Sequence, residues 1–129
     1  MTQRATGTFT PTFEPLPIDD EAMARMRVEK AFDGDLVGSG RAEMISVGTA
    51  VEGSAGYVAI DRITGSLHGR QGTFVLQHHG LMDRGAGTLS VTVVPDSGTD
   101  ELTGLRGEFR IDNVAGEHRY TFDYEIAPS

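Results

Sequence analysis

Short segments of alternating apolar and polar residues recur along the whole chain, and they restrict the fold more than any other feature. A period of two is typical of a strand that buries one face. The connections are short, and no segment shows a convincing helical period. The segments predicted as strands comprise residues 6–14, 25–32, 36–47, 57–63, 66–77, 88–94, 102–112 and 118–126.

Evenly spaced short strands predict an antiparallel meander, and closing that meander into a barrel removes its exposed edges. We therefore predict an all-β fold, an eight-stranded antiparallel closed barrel, with a two-sheet β-sandwich as the alternative. A length of 129 residues fits a single domain, residues 1–129, with a real core. A barrel of this size has room inside for side chains or for one small ligand.

Glycines mark the predicted turns and bends, because the chain has 17 of them, only 5 prolines and no low-complexity run. Asp33-Gly34 predicts a type I′ hairpin turn, in which both central residues need positive φ. Gly38 and Gly40 predict a bend or bulge in the third strand. Three further connections, a turn, a flexible loop and a brief helical turn, are predicted at residues 64–65, 79–87 and 21–25.

The net charge of −8 restricts the partners of the chain. Nucleic acids and anionic membrane surfaces attract clustered Lys and Arg, so we expect neither partner. The chain has no cysteine, and therefore no disulfide, no thiolate metal ligand and no thiol nucleophile. Its first residues lack the apolar core of a signal peptide, and no stretch approaches transmembrane length, which predicts a cytoplasmic protein.

The stretch over residues 69–80 is the strongest candidate for a functional site. It is an apolar strand that runs into a histidine, since Phe74, Leu76 and His78 are in phase on one face. Two other strands place polar groups in phase with apolar ones. Alternation predicts an inward face that carries Lys30, Phe74, Leu76, His78, His118, Tyr120, Phe122 and Tyr124.

A mostly apolar cavity with a few converging polar groups is the usual form of a small-molecule site. A histidine there can move protons near neutral pH, and a tyrosine can orient a carbonyl or hydroxyl group. The predicted catalytic residues are His78, Asp61 and Tyr120. The predicted ligand-binding residues are Lys30, Phe74, Leu76, His118, Phe122, Tyr124 and Glu101. The alternative is structural, because buried histidines and tyrosines often serve only the core.

Three carboxylates bear on this site. Asp61 forms an acid–base pair with His78 if both face inward, and the alternative is an ion pair with a neighbouring arginine at the rim. Glu101 follows a Ser-Gly-Thr turn and is expected to fix it through hydrogen bonds to backbone N–H groups. Glu43 is a further candidate for an inward position, although nearby glycines can shift its register.

We predict no metal site and no cofactor. His78 and His79 are adjacent on a strand and point to opposite faces, so they cannot readily share one ion. A zinc site would need His78, His118 and a carboxylate to converge, and no ligand-spacing motif supports that arrangement.

Four stretches together resemble one family of proteins. They are VEKAFDGDLVGSGRAEM (28–44), YVAIDRITGSLHGRQGTFVLQHHG (57–80), VVPDSGTDELTGLRG (93–107) and HRYTFDY (118–124). Over residues 8–126 the chain is similar to small bacterial proteins catalogued as a domain of unknown function and grouped structurally with allene oxide cyclase-like barrels. The resemblance implies a barrel, often a homo-oligomer, with no assigned reaction. It also implies a glutamate at the position of Asp61, where this chain has the shorter carboxylate.

The wider group includes plant allene oxide cyclases and resembles dirigent proteins, which steer reactive intermediates in an apolar cavity. None of their catalytic residues matches a position of this chain. Three hypotheses of function follow: a binding barrel for a small, largely apolar molecule; a cofactor-free isomerase or cyclase that acts in the barrel cavity; and a structural or interaction module. In the third, outward residues such as Val75 and Val94 lie at a subunit interface.

Overall fold

The computed structural model describes residues 2–127, in which eight strands form a closed antiparallel barrel. In chain order, β1 to β8 span Gln3–Leu16, Met23–Gly34, Leu36–Gly48, Ala55–Leu67, Arg70–Asp83, Ala86–Val93, Leu105–Val114 and Glu117–Ile126. A 3₁₀ turn, Asp100–Leu102, precedes β7. The predicted closed barrel is confirmed, and the β-sandwich alternative is wrong, because β1 pairs with β8 and leaves no open edge there.

Every strand pairs with its neighbours in the chain, and β1 and β8 complete the ring. This closing ladder runs from Gln3 opposite Tyr124 to Phe9 opposite His118. All neighbours are antiparallel, so the connections alternate between the two ends of the barrel. The connections after β2, β4 and β6 lie at one end, and those after β1, β3, β5 and β7 lie at the other.

The end with the connections after β2, β4 and β6, here the packed end, is filled by side chains. Leu36, Leu67, Leu102 and Leu105 are fully buried there. Leu102 belongs to the 3₁₀ turn, so the connection after β6 contributes to the core as well as the strands. The core cluster continues along the barrel through the inward aromatic residues Phe9, Phe32, Phe74, Phe109, Tyr120, Phe122 and Tyr124.

Towards the other end, here the open end, inward positions become exposed. Phe13, Met82 and Leu89 are in phase with buried residues of their strands, yet they are 55%, 44% and 46% exposed. A cleft of about 230 Å³ lies at this end against Tyr57, Met82 and Leu89. The barrel therefore has one filled end and one apolar end that faces solvent.

Glycines within strands explain one wrongly predicted boundary. The turn predicted at residues 64–65 is part of β4, and the chain instead turns at His68 and Gly69, whose φ values are 48° and 81°. Gly65 lies opposite Gly38 of β3, and a Cβ on Gly65 would come within 2.3 Å of a main-chain oxygen of that strand. The glycine serves the close approach of two strands, so it does not mark a turn.

The hairpin predicted at Asp33-Gly34 is confirmed, but its turn is not type I′. Gly34 has a φ of 104°, whereas Asp33 is not among the residues with positive φ. The bulge predicted at Gly38 and Gly40 is also wrong, because β3 keeps a continuous register with both β2 and β4.

Two predicted irregular segments are strand. β5 continues to Asp83, so most of the loop predicted over residues 79–87 is strand, and the turn falls at Arg84 and Gly85. β2 begins at Met23, so the helical turn predicted at residues 21–25 is wrong. No helix within residues 2–127 is long and apolar enough to cross a membrane.

Candidate functional site

Three titratable side chains from three strands meet inside the barrel. Lys30 Nζ of β2 donates a hydrogen bond of 2.8 Å to Asp61 Oδ2 of β4. His78 Nε2 of β5 lies 3.6 Å from the same oxygen. The side chains of Lys30, Asp61 and His78 are 10%, 0% and 4% exposed. The structure thus places three residues that the sequence analysis assigned to the site in one buried polar group, here the interior triad.

Small residues on β3 allow this meeting, because β3 lies between the strands of Lys30 and Asp61. Lys30 is opposite Gly40, and Asp61 is opposite Ala42. A Cβ on Gly40 would lie 2.8 Å from Asp61 Oδ1. The missing side chain at Gly40 therefore leaves room for the carboxylate, and Lys30 reaches it across the intervening strand.

The electrostatic balance at Asp61 favours its ionised form. Burial alone raises the pKa of this carboxyl, but His78 and Lys30 together lower it by more, so the pKa lies below its ordinary value. At 3.6 Å the contact of Asp61 Oδ2 with His78 Nε2 is longer than a good hydrogen bond. A carboxylate beside Nε2 favours the tautomer that carries its proton on Nε2.

Two atoms of the interior triad are buried without a hydrogen-bond partner among the described residues: Asp61 Oδ1 and His78 Nε2. Most buried polar atoms in folded proteins have a partner, and each exception calls for an explanation. Asp61 Oδ1 is an acceptor, and a protonated Nε2 is a donor. A hydroxyl group suits both kinds of atom, since it donates one hydrogen bond and accepts others.

Aromatic rings border the triad on the side of β1. Lys30 Nζ lies 5.5 Å from the centre of the Phe9 ring. The His118 ring, half-buried on β8, is centred 5.2 Å from that of Phe9. His118 is therefore joined to the triad through Phe9, and no hydrogen bond or ion pair among the described residues links it to Asp61 or His78.

The predicted catalytic residue Tyr120 is inside the barrel but serves the packed end. Its hydroxyl accepts a hydrogen bond of 2.9 Å from the Leu36 N–H and donates one of 2.9 Å to the Asp33 carbonyl. Burial raises the pKa of Tyr120. These bonds attach the hairpin between β2 and β3 to the barrel, and the structure does not bring the hydroxyl to Asp61 or His78.

Tyr124 also serves the packed end, where it meets a histidine that the sequence analysis missed. Its hydroxyl is hydrogen-bonded to His68 Nδ1, and the ring centres are 5.7 Å apart. His68 Nε2 lies 3.6 Å from Asp35 Oδ2. Burial raises the pKa of Tyr124. The available signal was the His68-Gly69 pair, which forms a turn that the prediction treated as strand.

The remaining predicted ligand-binding residues divide into core and surface. Phe74, Leu76 and Phe122 are fully buried in the filled part of the barrel, where the rings of Phe74 and Phe122 stack 5.8 Å apart. Glu101 is exposed on the 3₁₀ turn, and its Oε1 accepts a hydrogen bond of 3.1 Å from the Gln71 N–H. Glu101 thus bonds to the backbone of β5 and not to the Ser-Gly-Thr turn that it was expected to fix, and it does not reach the interior triad.

Glu43 faces outward, so its interpretation as an inward carboxylate is wrong. It forms an ion pair of 2.5 Å with Arg25, and that arginine lowers its pKa. The continuous register of β3 keeps odd-numbered residues on the outer face. Within residues 2–127 no group of three or more His, Cys, Asp or Glu side chains is arranged to hold a metal ion, so His118 does not join His78 and Asp61 in a three-residue site.

Fold and site together define a class of protein: closed antiparallel β-barrels with one filled end, one apolar open end and a buried polar group between strands. The family model described as "Protein of unknown function (DUF3224)" matches residues 5–124. The chain therefore belongs to the DUF3224 family.

A solved structure supports the same assignment. The chain is 42% identical to a DUF3224-family protein of unknown function from Shewanella oneidensis MR-1, over 100% of both chains, and the two folds superpose with a TM-score of 0.96. No curated protein gives a significant match. These two matches confirm the family and the barrel fold, and the family has no assigned reaction.

Proposed function

We propose that this protein binds a small, largely apolar molecule that carries a hydroxyl group, with the interior triad as its polar anchor. The observation that carries the proposal is the pair of buried, unpartnered atoms, Asp61 Oδ1 and His78 Nε2. A hydroxyl between them would donate to the carboxylate and accept from the imidazole N–H. The apolar remainder of the molecule would lie towards the open end, against side chains such as Phe13 and Leu89.

Two features support the position of this site. The half of the barrel at the packed end is filled, whereas apolar side chains at inward positions are exposed at the open end. Small-molecule sites are usually apolar cavities with a few fixed polar groups. Lys30 keeps Asp61 ionised and in place, so the acceptor is preorganised before a ligand arrives.

A pair of neutral aromatic probes tests the proposal. 2-Naphthol and 2-methylnaphthalene have similar shapes, but only the first carries a hydroxyl group. Each would be titrated into the protein and followed by ¹H–¹⁵N NMR. We expect saturable shifts for 2-naphthol around Asp61 and His78, and binding weaker by about tenfold or more for 2-methylnaphthalene, because the polar atoms stay unpartnered.

His78 and His79 provide a matched pair of variants, since they are adjacent on β5 but His78 faces the interior of the barrel and His79 faces the outside. His78→Phe is expected to remove the preference for 2-naphthol, and His79→Phe is expected to keep it. Equal binding of the two probes by the wild-type protein, or no saturable binding of either, would overturn the proposal. A preference that survives in His78→Phe would place the hydroxyl elsewhere.

A second candidate function is cofactor-free proton transfer at a carbon next to a carbonyl group. It rests on the 3.6 Å approach of Asp61 Oδ2 to His78 Nε2, because a carboxylate behind an imidazole orients a general base. With the proton on Nε2, Nδ1 is the nitrogen that would accept the proton of the substrate and return one to the product.

Deuterium exchange tests this second candidate. An apolar ketone such as 2-octanone would be incubated with the protein in D₂O, and incorporation next to the carbonyl would be followed by NMR. Exchange above the buffer rate that is lost in His78→Phe and kept in His79→Phe is the expected result. Equal exchange rates in the wild-type protein and in His78→Phe would refute proton transfer by His78 and leave binding as the proposed function.

Other expectations remain predictions. The sequence arguments above also lead us to propose a likeness to the allene oxide cyclases and a cytoplasmic location. We propose on the same basis that the protein forms a homo-oligomer through outward residues such as Val75 and Val94, and that it has no nucleic-acid or membrane partner. Sedimentation velocity of the purified protein checks the oligomer directly.

A further inference from the structure

Two arginines with no partner among the described residues stand side by side on the outside of the barrel. Arg41 of β3 is directly opposite Arg62 of β4, and both side chains are exposed on the outer face. Like charges directly opposite each other destabilise a sheet. Neither guanidinium forms a hydrogen bond or an ion pair with any residue in the described part of the chain. Glu29 is opposite Arg41 on β2 but makes no ion pair with it.

The next pair along the same two strands supplies two hydroxyl groups. Ser39 is opposite Thr64, and both are in phase with the arginines on the outer face. Neither hydroxyl makes a hydrogen bond to another described residue. Four unpartnered donor groups, two guanidinium and two hydroxyl, therefore occupy adjacent cross-strand positions, where facing Cβ atoms are about 5 Å apart.

These groups border a cleft of about 500 Å³ on the outer face of the barrel. Arg27 of β2 lines it as well, and the Nε of Arg27 is buried without a hydrogen-bond partner within residues 2–127. The charged residues that line the cleft are three arginines and Glu43, a sum of +2 on a chain whose net charge is −8. Glu43 is paired with Arg25, and Arg27 is paired with Glu14, both partners lying outside this set. The charges in the cleft that form no ion pair with a described residue are therefore those of Arg41 and Arg62. The cleft is thus a cationic site on an acidic protein.

We propose that this cleft binds a phosphate group of a small molecule through Arg41, Arg62, Ser39 and Thr64. Guanidinium groups match phosphate oxygens with paired, charge-assisted hydrogen bonds, and hydroxyl groups can donate to the remaining oxygens. A bound dianion also offsets the repulsion between the two arginines. The site is on the outer face and shares no residue with the interior triad, so it stands or falls independently of the binding function proposed above.

Inorganic phosphate is the probe for this site. It would be titrated by ¹H–¹⁵N NMR at constant ionic strength, with sodium chloride replaced as phosphate is added, so that simple screening does not change. We expect saturable shifts confined to the amides of residues 39–43 and 60–64. Shifts that are linear in phosphate or spread over the whole surface would overturn the proposal.

Three variants make the test specific. Arg62→Gln is expected to weaken phosphate binding by about tenfold or more, because a charge-assisted hydrogen-bond donor is lost. Arg62→Lys keeps the charge and should retain part of the affinity. Arg106→Gln removes an exposed charge from β7 and should bind as the wild type does. Equal affinity in Arg62→Gln and the wild-type protein would overturn the site.

The melting temperature gives an independent measurement on the same variants. Without phosphate, Arg62→Gln is expected to melt above the wild-type protein, because the facing like charges are gone. Phosphate should raise the melting temperature of the wild-type protein and not that of Arg62→Gln. Acetate in place of phosphate serves as the last arm, and saturable binding of acetate without binding of phosphate would show a carboxylate site and refute the phosphate assignment.

Discussion

At the scale of single residues, the most unusual feature is the position of the chain's only lysine. Arginine supplies the other ten basic residues among the eleven in the sequence, and Lys30 alone lies inside the barrel. Its ammonium contacts a carboxylate, Asp61, that is fully buried. Charges this far from water persist only when they are paired, so each member of the pair holds the other in place.

Replacing Asp61 by Leu is therefore expected to destabilise the protein by about 3–5 kcal/mol, because Lys30 would be left as an unpaired buried charge. The double variant Lys30→Met with Asp61→Leu should recover most of that loss, since both charges are gone and the space is filled. Urea unfolding at neutral pH measures both. Equal loss in the single and double variants would show that the pair does not behave as a coupled unit.

At the scale of strands, β3 decides which side chains can meet across it. Gly40 and Ala42 present almost no side chain to the interior, so groups on β2 and β4 reach each other over this strand. Gly40 was predicted to bend the chain, and instead it gives space to a carboxylate in a regular strand. Gly40 thus has a packing role that the residues around it in the sequence do not reveal.

Gly40→Ala is expected to destabilise the fold by about 1–3 kcal/mol through overpacking. The new Cβ would lie 2.8 Å from Asp61 Oδ1 and 3.0 Å from the Phe32 ring. Gly48→Ala is the matched control, because a Cβ at the end of the same strand meets nothing within 4 Å. Denaturant unfolding of both variants checks the difference, and similar free energies of unfolding for the two would contradict the packing role of Gly40.

Ion pairs on the outer face of the barrel join the strands around its closure. Asp123 of β8 accepts hydrogen bonds of 2.7 Å from Arg4 of β1 and from Arg110 of β7. Hydrogen bonds and charge from Arg4 and Arg110 lower the pKa of Asp123 from 3.8 to about 2. Because the folded pKa is the lower one, this contribution to stability is present above pH 3.8 and is lost as the pH falls towards about 2.

The free energy of unfolding is accordingly expected to fall between about pH 4 and pH 2 more steeply in the wild-type protein than in Asp123→Asn. Urea unfolding at a series of pH values gives both curves. Asp61 titrates in both proteins, so the difference between the curves reports Asp123. Parallel curves over this range would show that the ion pairs at the closure have no effect on stability.

At the scale of the whole molecule, closure joins the most distant parts of the chain. Gln3 pairs with Tyr124, and the core cluster draws residues from all eight strands. The eight strands share one core and form a closed ring, in which β6 and β7 are joined by the single pair of Thr92 and Glu108. No strand can leave the barrel without exposing part of that core. Long-range pairing of this kind also slows folding, because the closing contacts come after a large loss of chain entropy.

We therefore expect a single cooperative unfolding transition and folding on a timescale of about milliseconds to seconds. Tyrosine fluorescence and far-ultraviolet circular dichroism, recorded at equilibrium and by stopped flow, provide two probes. Coincident transitions from both probes are the expected result. Separate transitions would show that one part of the barrel unfolds before the rest.

Much of this barrel follows from alternation alone. Period-two patterns predicted the eight strands and the inward faces of β2, β5 and β8, because a buried face needs an apolar residue at every second position. Lys30, His78 and His118 share the phase of those apolar residues, so alternation alone assigns them to the interior. Boundaries were less predictable at Gly65 and at residues 79–83, because glycine marks both turns and close strand contacts.

The sequence by itself determined the number of strands, the all-β class and the direction in which most side chains point, since those depend on local period. Only the tertiary structure decided which of those side chains meet. Asp61 joins Lys30 across β3, Tyr120 serves a hairpin and not the triad, and Arg41 faces Arg62. These contacts depend on register between strands, and register is fixed by the packing of the whole barrel and not by any one segment.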